Sequence, residues 1–169
     1  MNSSVQTRGS LASKITRYWI PVLIMLGLMA YFSTDVFSGE NTRGAIETIL
    51  DWFSIHPSKH AIAHINFITR KCAHFVEYAV LASLIFRAFR ADSPLRWRLS
   101  WFLGSLAIVV SWALLDEFHQ SFTRTRGASI YDSMLDSAGG LAALLVITLL
   151  SRFGRRRPKH TLGNDNIQR

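Results

Sequence analysis

The stretch RKCAHFVEYAVLASLIFRAF, residues 70–89, changes character halfway along its length. Residues 79–86 are apolar enough to lie among lipid chains, whereas the turns before them are polar. Those turns carry Lys71, His74, Glu77 and Tyr78. Spacings of three and four residues place all four side chains on one face of a helix. Because a bilayer penalises ionisable groups, the stretch predicts a membrane-spanning helix with a polar face at one edge of the membrane.

The composition favours a membrane protein. The chain has 169 residues, 49% of them hydrophobic, and the apolar residues occur in blocks. A formal net charge of +8 suits either nucleic acid or an anionic membrane surface. The basic residues flank the apolar blocks, so we expect membrane lipids, and no nucleic acid, as partners. Cys72 is the single cysteine, which excludes an intramolecular disulfide.

Four stretches approach the length of about 20 apolar residues that a spanning helix requires. They are residues 18–34, 72–86, 99–115 and 136–153. Pro21 falls in the first turn of the first stretch, where its missing N–H is least harmful. These stretches predict an all-α membrane protein with four transmembrane helices.

The segment between the first two spans, residues 35–69, is too long for a bare loop. Apolar side chains recur in it at helical spacing, at Ile46, Ile49, Leu50 and Phe53. This periodicity predicts an amphipathic helix that lies at the membrane interface and is ended by Pro57. A second short helix, around residues 58–69, would then lead into the second span.

The orientation of the spans follows from Lys and Arg in the short connections, which collect on the cytoplasmic side. An N-in, C-in topology places most of the 19 basic residues there. The predicted organisation is therefore a cytoplasmic N-terminal segment, a membrane domain and a basic cytoplasmic tail. Their boundaries are residues 1–17, 18–153 and 154–169.

This topology brings three polar segments to the outer side of the membrane, because the second span begins there, the third ends there and the fourth begins there. The third span contributes Asp116, Glu117, His119 and Gln120, and the fourth contributes Asp132 and Asp136. Charged groups in membrane helices face one another or a water-filled cavity. Small residues at 137–140 and 143 would let the fourth helix pack closely. We therefore expect one cluster.

At these residues the chain resembles a known family. RKCAHFVEYAVLASLIFR resembles the pattern R-K-x-A-H-F-x-E-Y-x-x-L of the VanZ-like family of bacterial membrane proteins, and LLDEFHQSFTRTRGASIYDSMLDSAGG resembles its second signature. The resemblance covers roughly residues 64–150. It picks out Lys71, His74, Glu77, Tyr78, Asp116, Glu117, Gln120, Arg126, Asp132, Asp136 and Gly139. The family's Pro-Gly before the arginine is replaced here by Arg124 and Thr125.

The resemblance implies a bacterial cell-envelope membrane protein, which we expect to be a multi-pass protein of the cytoplasmic membrane. The predicted topology puts the polar cluster on the extracytoplasmic side. From the residues of the cluster we expect the protein to act on or bind a lipid-linked, phospholipid or cell-wall-related ligand. The family takes its name from a protein associated with teicoplanin resistance. An effect of this chain on glycopeptide sensitivity is left open, and no reaction is implied.

One hypothesis for the cluster is an enzyme. Carboxylates and imidazoles around one cavity could activate water or a hydroxyl by general acid–base catalysis, with His119 or Glu117 as the base. Lys71 and Arg126 could hold a phosphate or another anionic head group. A related hypothesis is a metal site, to which each helix would contribute ligands from one of its faces. The candidate ligands are His74, Glu77, Asp116, His119, Asp132 and Asp136, and the sequence identifies no particular metal or cofactor.

Three other hypotheses stay open. The cluster could bind a lipid head group or cell-wall precursor without chemistry, or it could move ions or protons. It could also be a non-enzymatic scaffold in which an ion-pair network only holds the helices together. The network would consist of Lys71, Glu77, Asp116, Arg126 and Asp132. Interhelical hydrogen bonds in membranes average about 0.6 kcal/mol, which is little stabilisation for so many charges.

Overall fold

The computed structural model describes residues 3–33, 39–122 and 129–153, which form helices and their connections. The helices are α1 (Ser3–Phe32), α2 (Gly39–Trp52), α3 (Lys59–Arg90), α4 (Leu99–Gln120) and α5 (Ile130–Phe153). All except α2 are long and apolar enough to cross a membrane. The predicted all-α membrane fold with four spanning helices is therefore confirmed. The N-in, C-in topology and the interfacial position of α2 stay predictions, and the predicted basic tail, residues 154–169, lies outside the described residues.

α3 is one continuous helix where the sequence analysis expected a short helix followed by a separate span. Ser58 caps its beginning, because the Ser58 Oγ accepts a hydrogen bond from the backbone N–H of Ala61 at 3.3 Å. No glycine or proline interrupts residues 59–90, so the helix propagates through the expected break. At 1.5 Å per residue the helix is about 48 Å long. It is thus longer than the hydrocarbon core of a bilayer, which is about 30 Å thick.

The first helix also begins earlier than expected. α1 starts at Ser3, so the residues before position 18 continue the first span as helix. Pro21 therefore lies inside the helix and not in its first turn. Its nitrogen has no hydrogen to donate to the carbonyl four residues earlier. The expected placement is wrong because the helix continues through polar residues that a hydropathy criterion leaves out.

α2 forms where the amphipathic periodicity predicts a helix, but it ends before Pro57 is reached. Its last residue is Trp52, and Ser54 takes a left-handed backbone conformation with a φ of 54°. The backbone N–H of Ile55 donates to the carbonyl of Leu50 at 3.0 Å, which closes the last turn. The backbone itself therefore ends this helix, and the proline follows in the connection.

The core lies around α3, which packs against each of the other four helices and most extensively against α5. The centre is apolar, with fully buried side chains at Leu81, Ala82, Ile85, Val109, Ala113 and Leu144. Large apolar side chains are also exposed on the outer faces of the long helices, as at Leu23, Leu103 and Leu150. In water such faces would be unfavourable, whereas lipid chains can cover them.

Two glycines of α5 allow its close approach to the neighbouring helices. A Cβ atom on Gly139 would lie 2.3 Å from the backbone oxygen of Phe75 on α3. A Cβ atom on Gly140 would lie 2.6 Å from a methyl group of Val109 on α4. The prediction that small residues let the last helix pack closely is confirmed at these two positions.

The alternating helices give the bundle two chemically different ends. We call one the polar end, which comprises residues 29–33, 69–78, 116–122 and 129–136. We call the other the basic end, which comprises residues 14–18, 87–101 and 148–152. At the basic end the Tyr18 hydroxyl donates a hydrogen bond of 2.5 Å to Asp92, and Lys14 pairs with the same carboxylate at 3.3 Å. These contacts join α1 to the connection between α3 and α4.

Candidate functional site

One side chain from each of the three predicted polar segments meets the others at the polar end. His74 of α3, Asp116 of α4 and Asp136 of α5 each offer a ligand atom, and these atoms all lie within 4.8 Å of one another. The His74 Nδ1 is 3.7 Å from the Asp136 Oδ1. Asp136 is only 2% exposed, whereas His74 and Asp116 are partly exposed. We call these three residues the triad.

The close packing of α5 explains how the triad forms. Gly139 lies one helical turn after Asp136 and contacts the backbone of Phe75, the residue next to His74. The absence of a side chain at Gly139 therefore brings the Asp136 carboxylate up to the imidazole. The two sequence motifs meet through a contact between backbones.

A glutamine fixes the third member of the triad. The Gln120 Nε2 donates a hydrogen bond of 2.9 Å to the Asp116 Oδ2, one turn earlier on α4. The same nitrogen donates a bond of 3.3 Å to the hydroxyl of Ser33, at the end of α1. Gln120 thus orients one carboxylate oxygen and joins α1 to the site.

Other predicted site residues connect the helices around the triad. The Lys71 ammonium is ion-paired and hydrogen-bonded to Asp132, and both side chains are about one-third exposed (28% and 34%). The Glu117 carboxylate accepts a hydrogen bond of 2.7 Å from the backbone N–H of Ser129, just before α5 begins. These two contacts hold the beginning of α5 against α3 and α4.

Two residues proposed for chemistry lie elsewhere. His119 is exposed on α4, so its imidazole points away from the packed side of that helix. Arg126, with the neighbouring Arg124 and Thr125, lies outside the described residues. Among the described residues, the basic side chains that could bind an anion at this site are therefore those of α3.

A cavity of about 260 Å³ opens beside the triad. Its walls come from α1, α2, α3 and α4. They consist of Met29, Phe32, Ser33, Thr42, Thr69, Arg70, Ala73, His74, Glu77 and Asp116. The lining of the cavity thus combines apolar side chains with an imidazole, a guanidinium and two carboxylates.

Arg70 is a wall residue that the sequence analysis did not include in the cluster. It stands four residues before His74 and seven before Glu77, so helical spacing alone could have identified it. Ser33 and Thr42 carried no such signal, because their position depends on how α1 and α2 pack against α3.

Tyr78 lies at the inner boundary of the site and is fully buried. Its hydroxyl finds no hydrogen-bond partner among the residues that the structure describes. A buried polar group of this kind is uncommon in a folded protein and points to a partner of another kind.

Comparison with known proteins agrees with the motif resemblance. No curated protein and no solved structure matched the chain. The profile of the VanZ/LLP1 family matches residues 18–151, a region that includes the triad, the cavity walls and all the predicted site residues. The match extends over most of the chain and all four apolar helices. The protein therefore belongs to the VanZ/LLP1 family and is a membrane protein of the VanZ type.

Proposed function

We propose that the polar end binds the anionic head group of a membrane-embedded lipid and hydrolyses a phosphate linkage in it. The observation that carries this proposal is the mixed lining of the cavity. Met29 and Phe32 of α1 supply apolar lining suited to a lipid chain, and His74 and Glu77 of α3 supply polar lining. A ligand that is apolar at one end and polar at the other matches both kinds of lining.

The cavity also contains a group suited to an anion. Arg70 is part of the polar lining, and a guanidinium can hold phosphate oxygens through two parallel hydrogen bonds. Lys71 lies next to Arg70 on the same helix, but the described lining of this cavity does not include it. Because Arg70 lines the cavity, we assign head-group binding to it first.

We assign the general base to Glu77. Its carboxylate lines the cavity one helical turn after His74, and a carboxylate can accept a proton from water. In this role it takes a proton from a water molecule whose oxygen forms a bond to phosphorus, while the bond from phosphorus to the leaving oxygen breaks. His119 and Glu117 are less suited, because the first is exposed and the second accepts the bond from Ser129.

Binding without chemistry is the second candidate, and the same cavity supports it. Beyond Tyr78 the centre of the bundle is apolar, with Leu81, Ile85 and Leu144 fully buried. Such a centre favours a site at one end of the bundle, with or without chemistry, over a path for ions through it. The contacts made by Lys71 and Glu117 fit the scaffold hypothesis for those two residues. Those contacts do not account for the cavity or the triad, so we assign these two features a role beyond holding the helices together.

The test uses the purified full chain in lipid nanodiscs, with a polyprenyl phosphate and phosphatidic acid as separate probes. Retention of each lipid and release of inorganic phosphate are measured. Glu77→Gln and Asp116→Asn are each expected to lower phosphate release by about 100-fold or more, the range for loss of a positioned acid or base. Glu47→Gln and Asp51→Asn, the same isosteric changes on α2, should leave it unchanged.

The outcomes separate the hypotheses. Saturable retention without phosphate release from either probe would support binding alone. If the native chain neither retains nor changes either lipid, the proposed function is wrong. The same conclusion holds if Glu77→Gln and Asp116→Asn fold normally and leave both retention and release at native values.

We further propose that the protein lies in the bacterial cytoplasmic membrane with its polar end outward. The distribution of basic residues supports this orientation, because Lys14, Arg17, Arg87, Arg90 and Arg152 all lie at the basic end. An outward site can meet lipid-linked cell-wall precursors. Comparing the teicoplanin sensitivity of cells with and without the chain tests whether such a precursor is the ligand.

A further inference from the structure

We propose that His74, Asp116 and Asp136 bind one divalent cation, Mn²⁺ or Zn²⁺. Ligand atoms about 2.1 Å from an ion lie about 3.4 Å apart in a tetrahedral site. In an octahedral site they lie about 3.0 Å apart when adjacent and about 4.2 Å apart when opposite. The triad's ligand atoms lie within 4.8 Å of one another, and the His74 Nδ1 and Asp136 Oδ1 are 3.7 Å apart. Small rotations of these side chains would bring all three to bonding distance of one ion.

The donor set indicates the class of ion. Imidazole nitrogen suits transition ions, whereas carboxylate oxygen suits Mg²⁺, Ca²⁺ and Mn²⁺. One nitrogen with two carboxylates therefore favours Mn²⁺ or Zn²⁺ over the purely oxygen-bound ions. Three protein ligands leave at least one coordination position for water or for an oxygen of a ligand.

The hydroxyl of Tyr78 is independent evidence for a bound group. It is fully buried and lacks a hydrogen-bond partner among the described residues. Tyr78 lies one turn after His74, and helical side chains lean toward the preceding turn, that is, toward the triad. A water on the ion would accept the hydrogen bond that the described residues do not provide.

Charge balance supports the same conclusion. Two carboxylates of the triad approach each other inside a helical bundle, where neighbouring like charges are unfavourable unless a proton or a cation compensates them, and a bound cation would do so. The Gln120 amide holds one oxygen of Asp116 in place from outside the triad. Such an outer hydrogen bond is typical of metal ligands, which it orients.

The role of the ion rests on the proposed function. The carboxylates of Asp116 and Glu77 would repel a phosphate in the cavity, whereas an ion at the triad would attract it. A bound ion also activates a coordinated water molecule for attack on phosphorus. Ion binding itself requires no lipid, so it is measured separately from the lipid reaction.

The test uses the full chain, purified in detergent and stripped with a chelator, with MnCl₂ and ZnCl₂ as probes. Elemental analysis and titration calorimetry are expected to find one ion per chain. His74→Asn, Asp116→Asn and Asp136→Asn are each expected to weaken binding by about 100-fold or more, beyond the 10–100-fold range for loss of an outer partner.

An exposed pair supplies the matched control. The His56 Nδ1 lies 3.3 Å from an Asp51 oxygen, but both side chains are largely exposed. His56→Asn and Asp51→Asn should therefore leave the affinity unchanged. Tyr78→Phe should retain the ion, with an affinity within about 10-fold of the native value.

If a variant does not fold, the native chain is measured instead. After chelation, adding either Mn²⁺ or Zn²⁺ is expected to raise its unfolding temperature. The ion site is wrong if the native chain binds neither ion and shows no such rise, or if the three variants bind as the native chain does. Ion binding without any effect on lipid contradicts the proposed function alone. Phosphate release that persists in chelated protein contradicts the ion's role.

Discussion

At the scale of single residues, Gly139 is the position where the site depends most directly on packing. Its Cα faces the backbone of Phe75, and an added methyl group would lie 2.3 Å from a carbonyl oxygen. A flexible side chain could move away from such a contact, but a helical backbone cannot move without carrying α3 with it. The distance between His74 and Asp136 is therefore set by this residue.

Gly139→Ala is expected to destabilise the protein by about 3 kcal/mol or more, at the upper end of the range for overpacking. Unfolding of the purified chain in detergent by heat or denaturant measures the change. Gly27→Ala is the matched control, because no atom lies within 4 Å of an added methyl group there. The control should be neutral or gain up to about 1 kcal/mol, since alanine is the better helix former. Equal stability of the two variants would contradict the packing described here.

The identity of the site residues was partly readable from the sequence. Spacing identified the face of α3 that carries His74 and Glu77. It did not separate Asp116 from its neighbours Glu117 and His119, because the choice depends on which side of α4 meets α3. In the structure, Asp116 belongs to the triad, Glu117 accepts a hydrogen bond from the Ser129 N–H, and His119 is exposed.

At the scale of helices and connections, the two ends of α1 are held differently. Gln120 contacts Ser33 at the polar end, whereas the Tyr18 hydroxyl contacts Asp92 in the connection after α3 at the basic end. The hydrogen bond from Tyr18 lowers the pKa of Asp92 below its ordinary value of 3.8, and Lys14 acts in the same direction. The ionised carboxylate is thus the form that holds α1.

Asp92→Asn is expected to lower the unfolding temperature at neutral pH. A carboxyl whose pKa is lowered by folding stabilises the protein above its ordinary pKa, and the stabilisation is lost as the pH falls through the lowered value. The difference between the native chain and Asp92→Asn should therefore be full at pH 7 and shrink below pH 3.8. Thermal unfolding across this range measures it, and Asp51→Asn on α2 controls for the loss of a carboxylate. A difference that grows on acidification would contradict this assignment.

The helices themselves followed from apolar block length and periodicity, and the number of spanning helices was predicted correctly. The short helix expected around residues 58–69 is instead the beginning of α3. The ends of the helices were not predicted correctly, because hydropathy stops at the first polar residues whereas a helix stops only where its backbone is interrupted or capped. α1 and α3 both continue through such residues, and α2 ends at Trp52, just before the left-handed Ser54 and well before Pro57.

At the scale of the whole molecule, the bundle separates most of its charges by type. The acidic groups of α3, α4 and α5 gather at the polar end, together with Arg70 and Lys71. Most of the described arginines lie at the basic end, together with Asp92. The sequence predicted this separation, because antiparallel neighbours bring alternate helix ends together. It also led us to expect a cavity at the cluster, but it did not predict the cavity walls, which come from four helices and depend on their packing.

The proposed orientation predicts where reporters will be active. Alkaline phosphatase, which requires the extracytoplasmic side, should be active when fused after Phe122, between α4 and α5. Green fluorescent protein should fluoresce when fused after Phe153, beyond α5. The reverse pattern would place the polar end in the cytoplasm and contradict the orientation. Immunoblots of both fusions control for expression.

The length of α3 has a consequence for how a ligand meets the site. His74 stands 13 residues before Arg87, which corresponds to about 20 Å along the helix axis. If that arginine marks the inner surface of a hydrocarbon layer about 30 Å thick, the imidazole lies about 10 Å beneath the opposite surface. A phospholipid would have to sink by that depth, or the bilayer would have to thin locally around the protein. Short-chain lipids, which make a thinner layer, should therefore ease access to the site.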